Sequence, residues 1–344
     1  METNKEKYSS FPDVPRRKGK LIDWKKLKRG AAWRKNMAGA NKNNVANIAV
    51  FQAKLSVCPI CKSGKFHDFI EVYACKYSEC ESCGHLFMQP PLDLNVVKKL
   101  YSGGEGGSMQ KLVYLDEEIF SKRMEQIALP KIEYCNSVIG EKGLWIDIGC
   151  GAGEFLVAAR KTGWEIKGFE ADAVEADFAR RRGIEVVQEY ITAANAPQLK
   201  DAKAVSLINV LEHINNPAEF LGAIAGGLQK GAFVVFEVPR HPSLSSFVNL
   251  AFPHLPYRHI CPPDHLHIFT EKSVELMLNG AGLKAVGVWE FGQDAVDLIL
   301  AAANNAGLKE SDLIERMIAL ADDMQKTVDE QSLSDILFMV AVKS

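Results

Sequence analysis

The chain has 344 residues, 47% of them apolar and 24% charged, with a formal net charge of −2 at neutral pH. That length and apolar content suffice for a full-sized core and a smaller module, and the near-neutral balance singles out no partner by bulk charge. No stretch reaches the roughly 18 apolar residues of a membrane span, charges stand where a signal peptide needs an apolar run, and eight cysteines are too few for a disulfide scaffold, so a cytoplasmic protein without a transmembrane segment is expected.

Residues 1–52 carry thirteen Lys or Arg against four acids, with scattered Gly, Asn and Ser and little periodicity. This is the composition of a flexible basic arm. Within it, residues 21–29 have the pattern of a short amphipathic basic helix, suited to an anionic surface or a nucleic acid. Residues 53–105 hold Cys58-Pro59-Ile60-Cys61 and Cys80-Glu81-Ser82-Cys83, two C-x2-C knuckles with eighteen residues between them. Each knuckle presents two thiolates on a tight turn, and two such turns complete a tetrahedron for Zn²⁺. Four thiolates close the shell and leave no open position, so the predicted zinc is structural. His67 and His85 are spare ligand candidates, and Cys75, Cys135, Cys150 and Cys261 read as small core or loop residues. The glycine-rich residues 102–108 form a linker by composition.

A helix near residues 116–139 leads into a region, 106–292 in all, where strands and helices alternate. Strands are predicted at 144–149, 165–170, 185–188, 204–210 and 231–238. Two more, at 283–291 and 335–343, close the chain, with residues 293–344 read as a helical insertion followed by the last strand. Two helices are predicted over 293–331, with Leu313, Met317, Leu320 and Met324 as core by their spacing. The alternation implies a mostly parallel sheet with right-handed crossovers and a ligand at the carboxyl ends of the strands.

The ligand is indicated by Leu144-Trp145-Ile146-Asp147-Ile148-Gly149-Cys150-Gly151-Ala152-Gly153-Glu154-Phe155. An apolar strand ends in an acid, and alternating glycines then let backbone approach a ligand before a helix begins. A dinucleotide site requires glycine where Glu154 stands, and the acids Asp147 and Glu154 repel a pyrophosphate. They suit a cation joined to an adenosine, which is the chemistry of S-adenosylmethionine.

The segment from Asp147 to Gly153 resembles the first motif of class I S-adenosylmethionine-dependent methyltransferases. Three further blocks continue the resemblance in order: Gly168-Phe169-Glu170-Ala171-Asp172, Asn209-Val210-Leu211-Glu212-His213-Ile214-Asn215-Asn216-Pro217, and Pro263-Asp264-His265-Leu266-His267-Ile268-Phe269-Thr270 with Gly280-Ala281-Gly282-Leu283. The resemblance implies an α/β, Rossmann-like sheet of seven strands, mostly parallel, preceded by a small zinc-ribbon module. It also implies that Asp147 orients the methionine ammonium and that Gly149, Gly151 and Gly153 admit the methionine portion. Glu170 would then take the ribose hydroxyls, Asp172 cap the next helix, Glu189 or Tyr190 border the adenine, and Asn209 lie beneath the methionine. Two departures stand out: Asp201-Ala202-Lys203-Ala204 replaces a frequent aspartate before the fourth strand, and Arg240 replaces a frequent asparagine, which points to an anionic acceptor such as a sugar nucleotide. The cysteine module is similar to that of a methyltransferase subgroup acting on sugars and secondary metabolites.

A sulfonium methyl is already activated, so the enzyme must chiefly align a nucleophile with it. A hydroxyl acceptor also needs a base, and histidine has the suitable resting pKa. His213 and His265 are the candidates, His265 ahead of His213 because it matches the family's histidine, with His267 read as packing. All three are expected to rim one pocket. Residues 240–261 read as a substrate lid, whose His241, His254 and His259 are expected to meet substrate or solvent. The leading expectation is O- or C-methylation of a small molecule, either a sugar, a glycan precursor or a secondary metabolite. An rRNA or tRNA methyltransferase that uses the zinc module and basic arm is the alternative, though no Asn/Asp-Pro-Pro-aromatic motif follows the fourth strand. A non-catalytic binding module is the third reading, disfavoured by the intact acids and glycines.

Overall fold

Short runs of β-branched and aromatic residues bounded by Gly, Pro and polar turns form twelve strands in the computed structural model, which describes residues 5–19, 31–48, 51–93, 95–96, 115–308 and 312–344. The strands are β1 (Arg16–Lys18), β2 (Phe66–Val72), β3 (Cys75–Cys80), β4 (Leu86–Met88), β5 (Leu144–Ile148), β6 (Glu165–Phe169), β7 (Glu185–Val187), β8 (Ala204–Ile208), β9 (Phe233–Pro239), β10 (His267–Ile268), β11 (Leu283–Phe291) and β12 (Ile336–Lys343). They build an eight-stranded sheet in the order β1-β11-β12-β9-β8-β5-β6-β7 and a four-stranded sheet in the order β10-β4-β3-β2. The predicted basic helix at 21–29 and the linker at 102–108 lie outside the described residues.

Two compact units divide the chain, one made of Met1–Asp93, Val238–Glu275 and Val288–Phe338, the other of Leu94–Glu237, Leu276–Gly287 and Met339–Ser344.

In the second unit β5 pairs in parallel with β6 and β8, β6 with β7, and β8 with β9. Trp145, Val205, Leu207, Val234 and Val235 are fully buried, which is why these strands read as continuous apolar runs. The register sets Asp147 beside Gly168 on one side and Ser206 on the other. Helices follow the strands at Glu154–Lys161, Ala173–Arg180 and Pro217–Gly227, the last opened by a proline at its first position. The predicted helix over 116–139 is Glu117–Arg123 and Leu129–Ile139 joined by a π-helical turn at Met124–Ala128.

In the first unit β2, β3 and β4 form an antiparallel meander that β10 extends. The arm differs from the expectation of a flexible segment, because Arg16–Lys18 pairs in parallel with Val288, Trp289 and Glu290 and Ala31–Ile48 is a helix. The sheet therefore has eight strands rather than seven. The physical reason is an otherwise open edge at β11 with two buried acids beside it. Arg16 donates to both carboxylate oxygens of Glu271, at 2.8 and 3.0 Å, and pairs with Glu290; the Arg17 guanidinium lies over the Trp289 ring at 4.1 Å. Tyr8 and Lys7 add bonds to Glu79 at 2.7 and 2.5 Å.

Among its described residues the insertion holds three helices, Asp294–Asn305, Asp312–Ala319 and Ala321–Glu330, where two were expected. Its core is Ala295, Val296, Ile299, Leu300, Ala303, Ile314 and Ala321, with Ile318 and Met324 packed against it. Leu313, Met317 and Leu320, expected inside, are 60%, 39% and 52% exposed. The inward row of the middle helix is set by Ile314 and Ile318, one turn apart, and the Leu313 row lies beside it facing out.

Candidate active site

In the second unit the chain leaves β5 through the glycine loop and enters the helix Glu154–Lys161. Gly153, the residue before that helix, has φ +89°, and a Cβ there would sit 2.4 Å from Ile184 Cδ1, so only glycine fits. A Cβ on Gly151, by contrast, would meet nothing closer than Glu175 Oε1 at 3.7 Å. The loop backbone is open there. The amides of Gly149 and Cys150 both donate to Phe169 O, at 2.8 and 3.1 Å, which fixes the turn against the end of β6.

Glu170, at that strand end, accepts from Gly151 N at 2.9 Å and from Asp172 N at 2.8 Å, one bond to each carboxylate oxygen. A carboxylate oxygen can accept more than one hydrogen bond, so the group has the chemistry to take hydroxyl donors as well. Asp172 caps the helix Ala173–Arg180, accepting from Val174 N and Glu175 N at 2.9 and 3.2 Å. Asp147 is 2% exposed and accepts from Ser206 Oγ at 2.5 Å, while Trp145 Nε1 donates to the same hydroxyl at 2.8 Å. Burial pushes the Asp147 carboxyl up to about 7, with Glu170 and Glu154 adding repulsion and the Ser206 bond opposing. A cation seated among these acids would relieve that strain.

The other expected donor-site residues have separate surroundings. Glu189 accepts from Asn195 Nδ2 at 3.0 Å and Gln198 Nε2 at 3.2 Å, and so holds the turn after β7. Tyr190 is 40% exposed, its hydroxyl pushed up to about 12 by burial, with Glu170 and Asp172 adding to the shift. Asn209 stands exposed at the end of β8 with φ +55°, its amide donating to Glu237 O at 3.3 Å.

Sequence reasoning missed Ser206 and the buried ion pair between Lys131 and Glu237, 2.6 Å apart. Both had a signal, a polar residue inside an otherwise apolar strand: Ala-Val-Ser-Leu-Ile for β8 and Phe-Val-Val-Phe-Glu-Val-Pro for β9. Such a residue persists only where a partner satisfies it. His213 lies on the 3-10 turn Leu211–His213, shortly after β8, its Nε2 3.9 Å from Glu212 Oε1. The Glu212 carboxyl is completely buried without a hydrogen-bond partner and is pushed up to about 8 by burial, with Glu237 adding repulsion.

In the first unit the four cysteines of the knuckles come together, their sulfurs all within 4.8 Å of one another. Cys58 and Cys83 are 3.8 Å apart and Cys61 and Cys80 3.4 Å. Four thiolates about 2.3 Å from a central Zn²⁺ would lie about 3.8 Å from each other, so the donor set fits that ion. Cys75, Cys135, Cys150 and Cys261 are buried, as expected of core residues. His85 joins the core rather than the cluster; its Nε2 is 3.1 Å from His267 Nδ1, and the two rings stack.

His265 is half-buried, with Nδ1 2.6 Å from His259 O. A carbonyl only accepts, so Nδ1 carries the proton and Nε2 is the lone-pair nitrogen. His241 and His259, expected to meet substrate or solvent, are 5% and 2% exposed and bond to Ser246 Oγ at 3.0 and 3.1 Å; burial pushes His241 down to about 4. Of the three lid histidines only His254 is exposed. Arg240 is likewise not placed for an anionic acceptor. It is 5% exposed, donates to Ser332 O at 2.7 Å and Glu271 at 3.3 Å, and lies 3.9 Å from Glu290. Two buried glutamates need a counter-charge, and Arg240 and Arg16 supply it.

Residues 120–288 match the family model described as a methyltransferase domain. That segment is therefore a methyltransferase domain, and its fold is of the α/β, Rossmann-like type with a mostly parallel central sheet. None of the curated proteins matches the sequence. Among solved structures, it is similar to a SAM-dependent methyltransferase from Archaeoglobus fulgidus at 19% identity, covering 67% of this chain and 99% of that one with a TM-score of 0.43. Magnesium protoporphyrin IX methyltransferase from Synechocystis PCC 6803 overlaps at 12% identity, 73% and 98% coverage and a TM-score of 0.45. Geranyl diphosphate C-methyltransferase from Streptomyces coelicolor A3(2) does so at 15%, 67% and 85%, and 0.39. Among the described residues no helix is long and apolar enough to cross a membrane.

Proposed function

We propose that this protein methylates a hydroxyl or carbon of a small molecule, a sugar, glycan precursor or secondary metabolite, using S-adenosylmethionine as donor. The observation that carries the reading is the group of acids at the carboxyl ends of β5 and β6 around a bare-backbone turn, where burial, with Glu170 and Glu154 adding to it, pushes the Asp147 carboxyl up to about 7. The donor supplies a methyl activated by a sulfonium. Asp147 orients its ammonium, the backbone of Gly149 and Gly151 leaves room for the methionine portion, and Glu170 accepts from the ribose hydroxyls. Asn209 and the Glu189–Tyr190 turn border the methionine and adenine ends. His265 Nε2 takes the acceptor's proton, with His213 as the second candidate.

A direct test is calorimetric titration of the purified chain with S-adenosylmethionine and with a dinucleotide, followed by mass-spectrometric screening of nucleotide sugars and cell extract for a gain of one methyl. Binding of the dinucleotide and not of the methyl donor would overturn the reading. Lys7, Arg16 and Arg17 of the basic arm, which the RNA alternative would use, are taken up by Glu79, Glu271, Glu290 and Trp289.

Asp147 makes donor affinity depend on pH. The cationic donor pairs with the ionised carboxylate, so affinity should level off above pH 7 and fall by about tenfold for each unit below it. The empty protein follows the opposite sign. Its Asp147 is raised from 3.8 to about 7, so the folded state favours the protonated acid and loses stability as pH rises through that window. Asp147→Asn should bind the donor weakly at every pH, and calorimetry on both sides of pH 7 checks this. A wild-type slope surviving in the variant would remove Asp147 from the site.

Cys58, Cys61, Cys80 and Cys83 are proposed to hold one structural Zn²⁺. Metal analysis should find one zinc per chain. Cys80→Ser should release it and lower the melting temperature by about 10 °C, and a metal-free variant of unchanged stability would refute the assignment.

A further inference from the structure

The path of the segment that carries His265 is set partly from outside it. Residues 254–266 include Pro256, Pro262 and Pro263 and form no helix or strand; one turn of their own, in which Asp264 N and His265 N both donate to Cys261 O at 3.2 and 3.1 Å, leaves the rest to be tied from elsewhere. The cysteine module supplies the missing ties within the same unit. Tyr77, fully buried in the middle of β3, donates its hydroxyl to the backbone oxygen of His265 at 2.6 Å. Tyr73, at the turn before β3, donates to Pro256 O at 2.6 Å. Thr270 Oγ1 donates to Cys83 O at 2.6 Å, and Met88 N to Leu266 O at 2.8 Å. Phe87 of β4 then pairs with His267 of β10. β3 ends in Cys80, one of the four clustered thiols, so the strand that holds His265 is anchored at the cluster itself.

The chemistry of His265 depends on that placement. Its proton sits on Nδ1 because His259 O faces that nitrogen at 2.6 Å, and a main-chain displacement of about 1 Å breaks a bond so short and frees the other tautomer. Burial holds the Tyr77 hydroxyl well above its ordinary pKa, so it remains a donor throughout the neutral range.

We propose that Tyr77 is a positioning residue that sets the place and tautomer of His265, and that the four-cysteine module serves the active site through this bond as well as stabilising the fold. The proposal rests on the reading of His265 as the base, but its test does not.

The test is nitrogen NMR of histidine-labelled full-length protein, zinc-loaded and saturated with S-adenosylhomocysteine, with the His265 signals assigned through His265→Gln. The wild type should show the Nδ1–H tautomer. Tyr77→Phe keeps the ring and deletes one hydroxyl, and should move the tautomer ratio toward Nε2–H by about tenfold, the size of one net hydrogen bond. Removing the metal with a chelator, at a temperature where circular dichroism reports a retained fold, should move it the same way. Tyr73→Phe removes only the Pro256 tie from a partly exposed side chain, and carries the test if Tyr77→Phe folds poorly, with a smaller shift of the same sign. An unchanged His265 tautomer in the folded hydroxyl-deletion variant, or after metal removal, would overturn the proposal. Loss of the base assignment is read separately, from turnover of His265→Ala.

Discussion

Glu170→Ala is expected to weaken S-adenosylmethionine binding by about a hundredfold or more while the protein stays folded. The acid lies at the end of β6, where the parallel register with β5 sets that strand end beside the glycine loop, and both its oxygens already accept a backbone amide. Ribose hydroxyls would add two bonds to a carboxylate, each worth about 1.5 to 3 kcal/mol when the acceptor is charged. The variant also strands the amides of Gly151 and Asp172, at a cost of about 1 to 3 kcal/mol each if water does not reach them. A modest fall in melting temperature should therefore accompany the binding defect. Glu170→Gln separates the two effects. It keeps one acceptor oxygen and the side-chain volume, and should restore much of the stability but little of the affinity. Calorimetry with the donor and with S-adenosylhomocysteine, alongside thermal melts, measures both quantities. Wild-type affinity in Glu170→Ala would remove this acid from the site.

The sheet of the second unit was legible because its strands are buried on both faces and separated by turn residues, and the period of apolar residues alone gives that pattern. The glycine loop was legible for a local reason, since Gly153 is the residue that both φ and space require. What escaped was pairing at long range. Nothing near Arg16 in the sequence announces that it will meet Glu271 and Glu290, some 255 residues away or more, and charge counting therefore read the arm as solvated. Arg240 misled for the same reason, because its partners are carbonyls and acids from three other segments rather than a ligand. In the insertion, helical spacing gave the right period for Leu313, Met317 and Leu320 but the wrong face, since two neighbouring rows of one helix are both apolar and only the partner helices select between them. Ser206 shows the converse, a polar residue in a buried strand whose purpose is visible only once Trp145 and Asp147 lie on either side of it.

His265→Ala should lower turnover of a hydroxyl acceptor by about a hundredfold, the usual worth of a positioned base, with donor affinity unchanged. The selective loss follows from which groups touch what. The residues proposed for the donor are Asp147, the loop glycines, Glu170, Glu189, Tyr190 and Asn209, whereas His265 has its Nδ1 fixed by His259 O and presents a lone pair on Nε2. His213 is the second candidate, its Nε2 3.9 Å from the carboxyl of Glu212, which burial pushes up to about 8. The decisive measurement is kcat of His265→Ala and His213→Ala on the acceptor that the methylation screen returns, with donor affinity measured in parallel. Unchanged turnover in the first and a large loss in the second would transfer the role to His213. Unchanged turnover in both would mean that the acceptor needs no base, as a carbon nucleophile that is already electron-rich would not.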